Sequence, residues 1–240
     1  MLNSFISAMR TLTAIPVPGQ DCEKYEDVLF AFPLVGAVLG GILWLLSGSS
    51  QWSPTMVVAA FVLGAQTLLT RGFHLDGVAD TADGFGGGYT KDRSLEIMKD
   101  SMVGAFGSIA LMLTLLLKFT LIYSLLQINA VSGVFASMVI SRTAQVFQCV
   151  TLPYARPNGT AAAAVQNASN NHLFVAIALC ALLLVTIGFK NLWLLPLGLA
   201  AAFFWGIYCK KRVGGITGDL LGATNEIVEI TVMTGALILC

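Results

Sequence analysis

Residues 71–88 read Arg71-Gly-Phe-His-Leu-Asp-Gly-Val-Ala-Asp-Thr-Ala-Asp-Gly-Phe-Gly-Gly-Gly88, and this stretch decides how the chain is read. It places Asp76, Asp80 and Asp83 within eight residues of an otherwise apolar protein. The spacing is i, i+4, i+7, and helix residues three and four apart have Cβ atoms roughly 5–6 Å from each other. The three acids therefore share one helix face. Like charges that close repel, and beside a membrane they also lose solvation. A divalent cation is the simplest reason for such a face. The glycines at 84 and 86–88 permit close backbone approach, which brings N–H groups within reach of a phosphate.

The surroundings are oily. The 240 residues are 56% hydrophobic and 11% charged, against about 25% charged in a soluble domain. The fold expected is all-α, a polytopic membrane bundle forming one domain over residues 1–240. Spanning a bilayer takes about 20 mostly apolar residues, and seven segments qualify, near 28–48, 54–70, 104–126, 130–151, 172–189, 191–209 and 221–239. Leu2, Phe5, Ile6, Met9 and Leu12 recur at helical spacing before Ile15-Pro-Val-Pro18, which suggests an interfacial helix. With Arg10 inside that apolar run and no basic head before it, it does not read as a cleaved signal peptide. The zero net charge gives no reason to expect a nucleic-acid partner. The five scattered cysteines form no C-x-x-C pair and suggest neither a disulfide framework nor a zinc site.

Positive charge orients the array. With seven spans and the N-terminus inside, the inner segments hold ten Lys and Arg residues and the outer loops only Lys190. Lys118 and Arg142 fall within spans. All thirteen acids lie in 21–27, 76–100 and 219–229, which this topology puts on the cytoplasmic side.

Two further features bear on chemistry. Lys91-Asp-Arg-Ser-Leu-Glu-Ile-Met-Lys-Asp-Ser101 reads as an amphipathic helix with Leu95 and Ile97 or Met98 toward the membrane. Lys210-Lys-Arg-Val-Gly-Gly-Ile-Thr-Gly-Asp-Leu-Leu-Gly-Ala-Thr-Asn-Glu-Ile-Val-Glu229 is a basic triplet, a Gly/Thr/Asp turn, and a span carrying Asn225, Glu226 and Glu229 on one face. A carboxylate at the centre of a membrane helix costs roughly 2.5–3.5 kcal/mol on insertion scales. Two glutamates in one span therefore need either a bound ion or cationic partners, such as Arg142 and the basic triplet. Carboxylate, Asn and Thr oxygens suit Mg²⁺, which commonly bridges to substrate phosphates, while Arg142 and Lys99 would offset phosphate charge. The residues thus point to Mg²⁺-dependent phosphoryl or nucleotidyl-type transfer at the inner membrane surface.

The sequence also resembles the cobalamin synthase family, adenosylcobinamide-GDP ribazoletransferase, over essentially its whole length. The resemblance rests on Arg10-Thr-Leu-Thr-Ala-Ile-Pro-Val-Pro18, Phe32-Pro-Leu-Val-Gly36, the segment from His74 to Gly84, Leu95-Glu-Ile-Met-Lys-Asp-Ser101, Ser141-Arg142, Tyr154-Ala-Arg-Pro157 and Gly214-Gly-Ile-Thr-Gly-Asp-Leu-Leu-Gly-Ala223 with Glu226 and Glu229. It implies an enzyme of the bacterial inner membrane that joins adenosylcobinamide-GDP to α-ribazole, or its 5′-phosphate, with Mg²⁺ and release of GMP. On this reading Asp76, Asp80 and Asp83 hold Mg²⁺, completed by Asp219, Glu226 or Glu229. His74, Asp83 and Glu229 are the alternatives for the base, and Arg142, Lys99, Thr217, Gly218 and Asn225 the substrate-binding candidates. A homo-oligomer is possible. The family usually has arginine after Lys-Asp-Ser; this chain has Met102, so another base must serve there. The rival readings are a CDP-alcohol phosphotransferase, whose motif carries Arg where this chain has Asp80, and an ion transporter, which would place its acids at midplane.

Overall fold

In the computed structural model, which describes residues 1–239, α-helices and short 3₁₀ turns carry the architecture; the only extended pairing among the described residues is an isolated bridge between Tyr154 and Ile216. The helices are α1 (Leu2–Leu12), α2 (Phe32–Ser47), α3 (Thr55–Leu69), α4 (Phe73–Gly87), α5 (Lys91–Ile97), α6 (Ala105–Gln127), α7 (Ser132–Thr151), α8 (Ala162–Gln166), α9 (Asn170–Thr186), α10 (Leu194–Val213) and α11 (Gly218–Leu239). The protein is a polytopic membrane helical bundle.

Among the described residues, four segments are long and apolar enough to cross a membrane: Tyr25–Gln51, Ala105–Gln127, Phe189–Val213 and Gly218–Leu239. A fifth arises only if α3 and α4 count as one span, and they meet at 85°. The count of seven adds α7 and α9. Helix α9 is apolar but has only 17 residues. Helix α7 carries Ser137, Ser141, Arg142, Thr143, Gln145 and Gln148, all buried. It lies inside the bundle, packed on α2, α9, α10 and α11, so its polar groups find protein partners instead of lipid.

Helix α1 forms as the periodicity predicts. Ile6, Met9 and Leu12 are buried against the 3₁₀ turn Tyr25–Ala31 and the start of α2, while Leu2 stays exposed. Its return loop is pinned by Arg10, which donates to the carbonyls of Val17 and Gly19 and pairs with Asp21 at 2.8 Å. The hydroxyl of Ser7 and the Arg10 guanidinium together hold the Asp21 carboxyl below its ordinary pKa.

The motif helix α4 lies across one end of the bundle. Its elbow is made by Arg71 and Gly72, both at left-handed φ (54° and 64°), a conformation that glycine adopts readily and arginine seldom does. Beyond it, α4 meets the first turns of α6 and α11 and the last turn of α10. The crossing with α11 is backbone to backbone: a Cβ on Gly77 would sit 2.5 Å from the Asp219 carbonyl oxygen and 3.1 Å from the Gly222 Cα. Helix α5 is shorter than expected, and its apolar side faces protein. Met98 is buried with its side chain against Gly84, since α4 and α10 offer it a closer apolar surface than lipid does.

Gly77→Val should therefore force α4 off α11. The overpacking costs about 1–3 kcal/mol or more where backbone is the obstacle, and thermal unfolding of the purified protein in detergent should show a lowered midpoint; at Gly72 no atom lies within 4 Å of the Cβ position, so Gly72→Ala should cost only the left-handed backbone strain, about 1–2 kcal/mol.

Candidate active site

Two chain segments far apart in sequence are brought together at the end of the bundle that α4 crosses. Asp76 is exposed and Asp80 half-buried on α4, and Asp219 stands in the first turn of α11. The charges of Asp76, Asp219 and Asp83 all bear on Asp80, opposed by that of Arg156. Arg156 Nη2 lies 2.8 Å from Asp219 Oδ2. Its loop is clasped to the turn before α11: Ala155 N–H donates to Ile216 O at 2.8 Å, and Ile216 N–H donates to Pro153 O at 2.9 Å. The Tyr154-Ala-Arg-Pro157 and Gly-Gly-Ile-Thr-Gly-Asp segments thus form one unit, a juxtaposition that spacing alone does not reveal.

Asp83 shares the acidic face as the spacing predicts, but both its oxygens are engaged. They accept from Gly104 N–H at 2.7 Å and Gly107 N–H at 2.9 Å, so Asp83 satisfies the otherwise unpaired N–H groups at the start of α6 and suits the positive end of that helix. Thr217 plays a similar part for α11: its buried hydroxyl lies 3.3 Å from both Leu220 N–H and Asp219 Oδ2. Gly218 packs beside Thr160. Lys99 is exposed and, with Lys91 and Arg156, lines a groove of about 600 Å³ leading from the Arg156 loop. Met102 is exposed. Arg212 of the basic triplet donates to the Phe85 and Gly88 carbonyls at 2.9 Å, so it closes the C-terminal end of α4 besides anchoring the chain.

Glu226, Glu229, Asn225, Arg142 and His74 lie together in the interior. Glu229 is fully buried and accepts five hydrogen bonds. One oxygen takes Arg142 Nη1, Asn225 Nδ2 at 2.8 Å and the Ser141 hydroxyl at 3.4 Å, and the other takes Lys118 Nζ at 2.6 Å and Gln66 Nε2 at 2.5 Å. Lys118 also reaches Glu226 at 2.6 Å. Two carboxylates and two cations thus balance inside the bundle, and the network joins α3, α6, α7 and α11. Of the two readings open for the glutamates, cationic partners are what the geometry provides. Arg142 is one of them, while the role foreseen for the basic triplet is filled by Lys118, which sequence reasoning left without a role. Its signal was a lone lysine in a span, which needs an anionic partner. His74 is 1% exposed and neither ring nitrogen has a hydrogen-bond partner. The three base candidates are thus each engaged or sealed: Asp83 by α6, Glu229 by five donors, His74 by burial.

Among the described residues, no three His, Cys, Asp or Glu side chains converge so as to hold a metal ion unaided. Mg²⁺ does not need them to, since it usually takes one or two carboxylates and completes its shell with water and substrate phosphates. Asp76, Asp80 and Asp219 offer oxygen donors only, with Arg156 paired to Asp219, and that donor chemistry suits a hard cation.

The family model for cobalamin-5-phosphate synthase matches residues 4–237. The chain belongs to this family. Among its relatives is a protein of Chlorobaculum tepidum called adenosylcobinamide-GDP ribazoletransferase, 45% identical over 97% of this chain and 94% of its own. Proteins of the same designation in Chlorobium chlorochromatii and Clostridium botulinum are 41% and 35% identical, over 100% and 96% of this chain and 98% and 96% of theirs. No solved structure matches the chain. For this cobalamin-5-phosphate synthase family member, the matched span takes in every element of the carboxylate end and of the buried network.

Removing one partner of a buried ion pair costs about 3–5 kcal/mol, because a charge is left without compensation. Lys118→Met should lower stability on that scale in detergent unfolding. Lys118→Met with Glu226→Gln, which restores neutrality, should recover most of the loss.

Proposed function

We propose that this chain joins adenosylcobinamide-GDP to α-ribazole or its 5′-phosphate. The ribose 3′-hydroxyl of the ribazole attacks the cobinamide-proximal phosphorus, a new P–O bond forms, the bond to the bridging oxygen breaks and GMP leaves. The observation that carries this reading is the meeting of Asp76, Asp80 and Asp219 with Arg156 at one end of the bundle, in a chain matched to the cobalamin-5-phosphate synthase family over residues 4–237.

Asp76, Asp80 and Asp219 are the residues that would hold Mg²⁺, which when bound neutralises diphosphate charge and stabilises the leaving phosphate. Arg156 is placed to serve both sides: it pairs with Asp219 and lines the groove of Lys91 and Lys99, where a second set of positive charges meets the diphosphate. The attachment of Asp83 to the first turn of α6 keeps α4 in register, so the carboxylate row is preorganised and need not be assembled by substrate. The site is proposed to face the cytoplasm across the bacterial inner membrane. Support comes from the basic residues at its end of the bundle, Arg156, Lys91, Lys99 and Lys210 to Arg212 among them, against Lys190 at the other.

Purified protein given adenosylcobinamide-GDP, α-ribazole and Mg²⁺ should release GMP, and excess chelator should stop it. Asp80→Asn should lower kcat by about 10²-fold or more, a loss of the size seen when one electrostatic stabiliser of a transition state is removed. Absence of turnover in the unmodified protein, or full turnover with chelator, would falsify the assignment. In a cysteine-free background, Tyr89→Cys, at a site 98% exposed, should react with a membrane-impermeant maleimide only in inverted vesicles.

A further inference from the structure

A second groove opens on the carboxylate row and shares no residue with the groove of Arg156. It measures about 570 Å³, within the range of small-molecule sites. Arg71 and Asp76 supply its charge, Thr11 a hydroxyl, and Phe73, Leu111 and Leu115 an apolar side.

Arg71 stands out for two reasons. Its backbone sits at φ 54°, where a side chain is strained, although glycine, which takes that conformation freely, occupies only the next position. Strained backbone persists where the surrounding structure holds it, and it gathers at functional sites. The hold is visible here: Arg71 N–H donates to Leu68 O at 3.1 Å and Gly72 N–H to Thr67 O at 2.8 Å. The elbow therefore fixes the point from which the guanidinium departs. Secondly, Arg71 is exposed, and among the described residues its side chain has neither an ion pair nor a hydrogen bond. Asp76 lines the same groove without pairing with it. An open, anchored cation with a planar fork of N–H donors is a phosphate binder by its chemistry.

In-line displacement brings the attacking and leaving oxygens to opposite faces of the phosphorus, so the carboxylate row needs two approaches. The groove of Arg156, Lys91 and Lys99 is the one assigned above to the diphosphate. The Arg71 groove, with one cation and an apolar side, complements a benzimidazole nucleoside that bears a single phosphate. We infer that it is the acceptor side of the site, where Arg71 binds the 5′-phosphate of α-ribazole 5′-phosphate and the ring lies against Phe73 and Leu111. This assignment deepens the transferase reading and rests on it for the identity of the acceptor.

Acceptor kinetics on the full chain in detergent, at saturating adenosylcobinamide-GDP and Mg²⁺, test it. For the unmodified protein, kcat/KM should favour α-ribazole 5′-phosphate over α-ribazole by about tenfold, the equivalent of about 1.4 kcal/mol. Arg71→Gly removes the guanidinium and eases the backbone, and it should erase that preference, while Arg71→Lys should retain part of it. Equal use of the two acceptors by the unmodified protein overturns the inference. So does a preference that survives Arg71→Gly, or an equal fall for both acceptors, which is what a merely structural elbow gives. If Arg71→Gly does not fold, Arg71→Asn, which tolerates the same φ, decides. The series is repeated in phosphatidylcholine nanodiscs with and without phosphatidylglycerol to separate the two sources of phosphate. The Arg71→Gly effect should be the same in both; an effect seen only with phosphatidylglycerol gives the guanidinium to a lipid headgroup and overturns the inference. Equilibrium binding of the two acceptors completes the test. Tighter binding of the phosphorylated one, lost in Arg71→Gly but without turnover in the unmodified protein, would uphold the groove and sink the transferase reading. Turnover without acceptor preference would do the reverse.

Discussion

A carboxylate with no counter-charge cannot stay ionised inside a membrane bundle at tolerable cost, and the interior of this protein is arranged around meeting that condition at Glu229. Five donors from four different helices reach its two oxygens: Gln66 of α3, Lys118 of α6, Ser141 and Arg142 of α7 and Asn225 of its own α11. Glu226 takes the second bond of Lys118, so the charges cancel. Each of these side chains is expensive alone; together their charges cancel, while Gln66 Oε1, Arg142 Nε and Nη2 and Asn225 Oδ1 stay without a hydrogen-bond partner. Their directionality supplies what lipid-facing apolar contacts lack, a unique rotation of each helix about its own axis.

The rotation of α11 matters most, because the same helix that presents Glu226 and Glu229 inward presents Asp219 at its first turn. Gly77 and Gly222 let α4 cross that turn at backbone contact, and this sets the distance from Asp219 to Asp76 and Asp80. The buried network and the surface carboxylates are thus two levels of one construction, the lower fixing the orientation on which the upper depends. Asp83 lies on the acidic face yet serves the N-terminus of α6.

Much of this was legible in the chain. Apolar runs gave the helices, and the i, i+4, i+7 spacing gave the acidic face with Asp76 and Asp80 on it. The breaks at Pro16 and Pro18 and the glycines before α11 gave the boundaries. What escaped was whatever depends on a partner distant in sequence. Nothing local tells that Asp83 will meet Gly104 and Gly107, that Met98 will prefer Gly84 to lipid, or that Lys118 will stand between two glutamates more than a hundred residues away. Helix α7 is a related case: its serines, glutamines and arginine are tolerable because other helices surround it, and nothing local says which ones.

The clasp between Pro153, Ala155 and Ile216 closes the chain on itself. Everything from α8 through α10 becomes a loop whose two ends are stapled together beside Arg156 and Asp219. The pairing of those two residues is set by a few backbone bonds at the membrane face and not by how far the intervening helices reach into the bilayer. The same loop is held again at the last turn of α10, where Arg212 bonds the Phe85 and Gly88 carbonyls, so the reacting end is tied to it at two points.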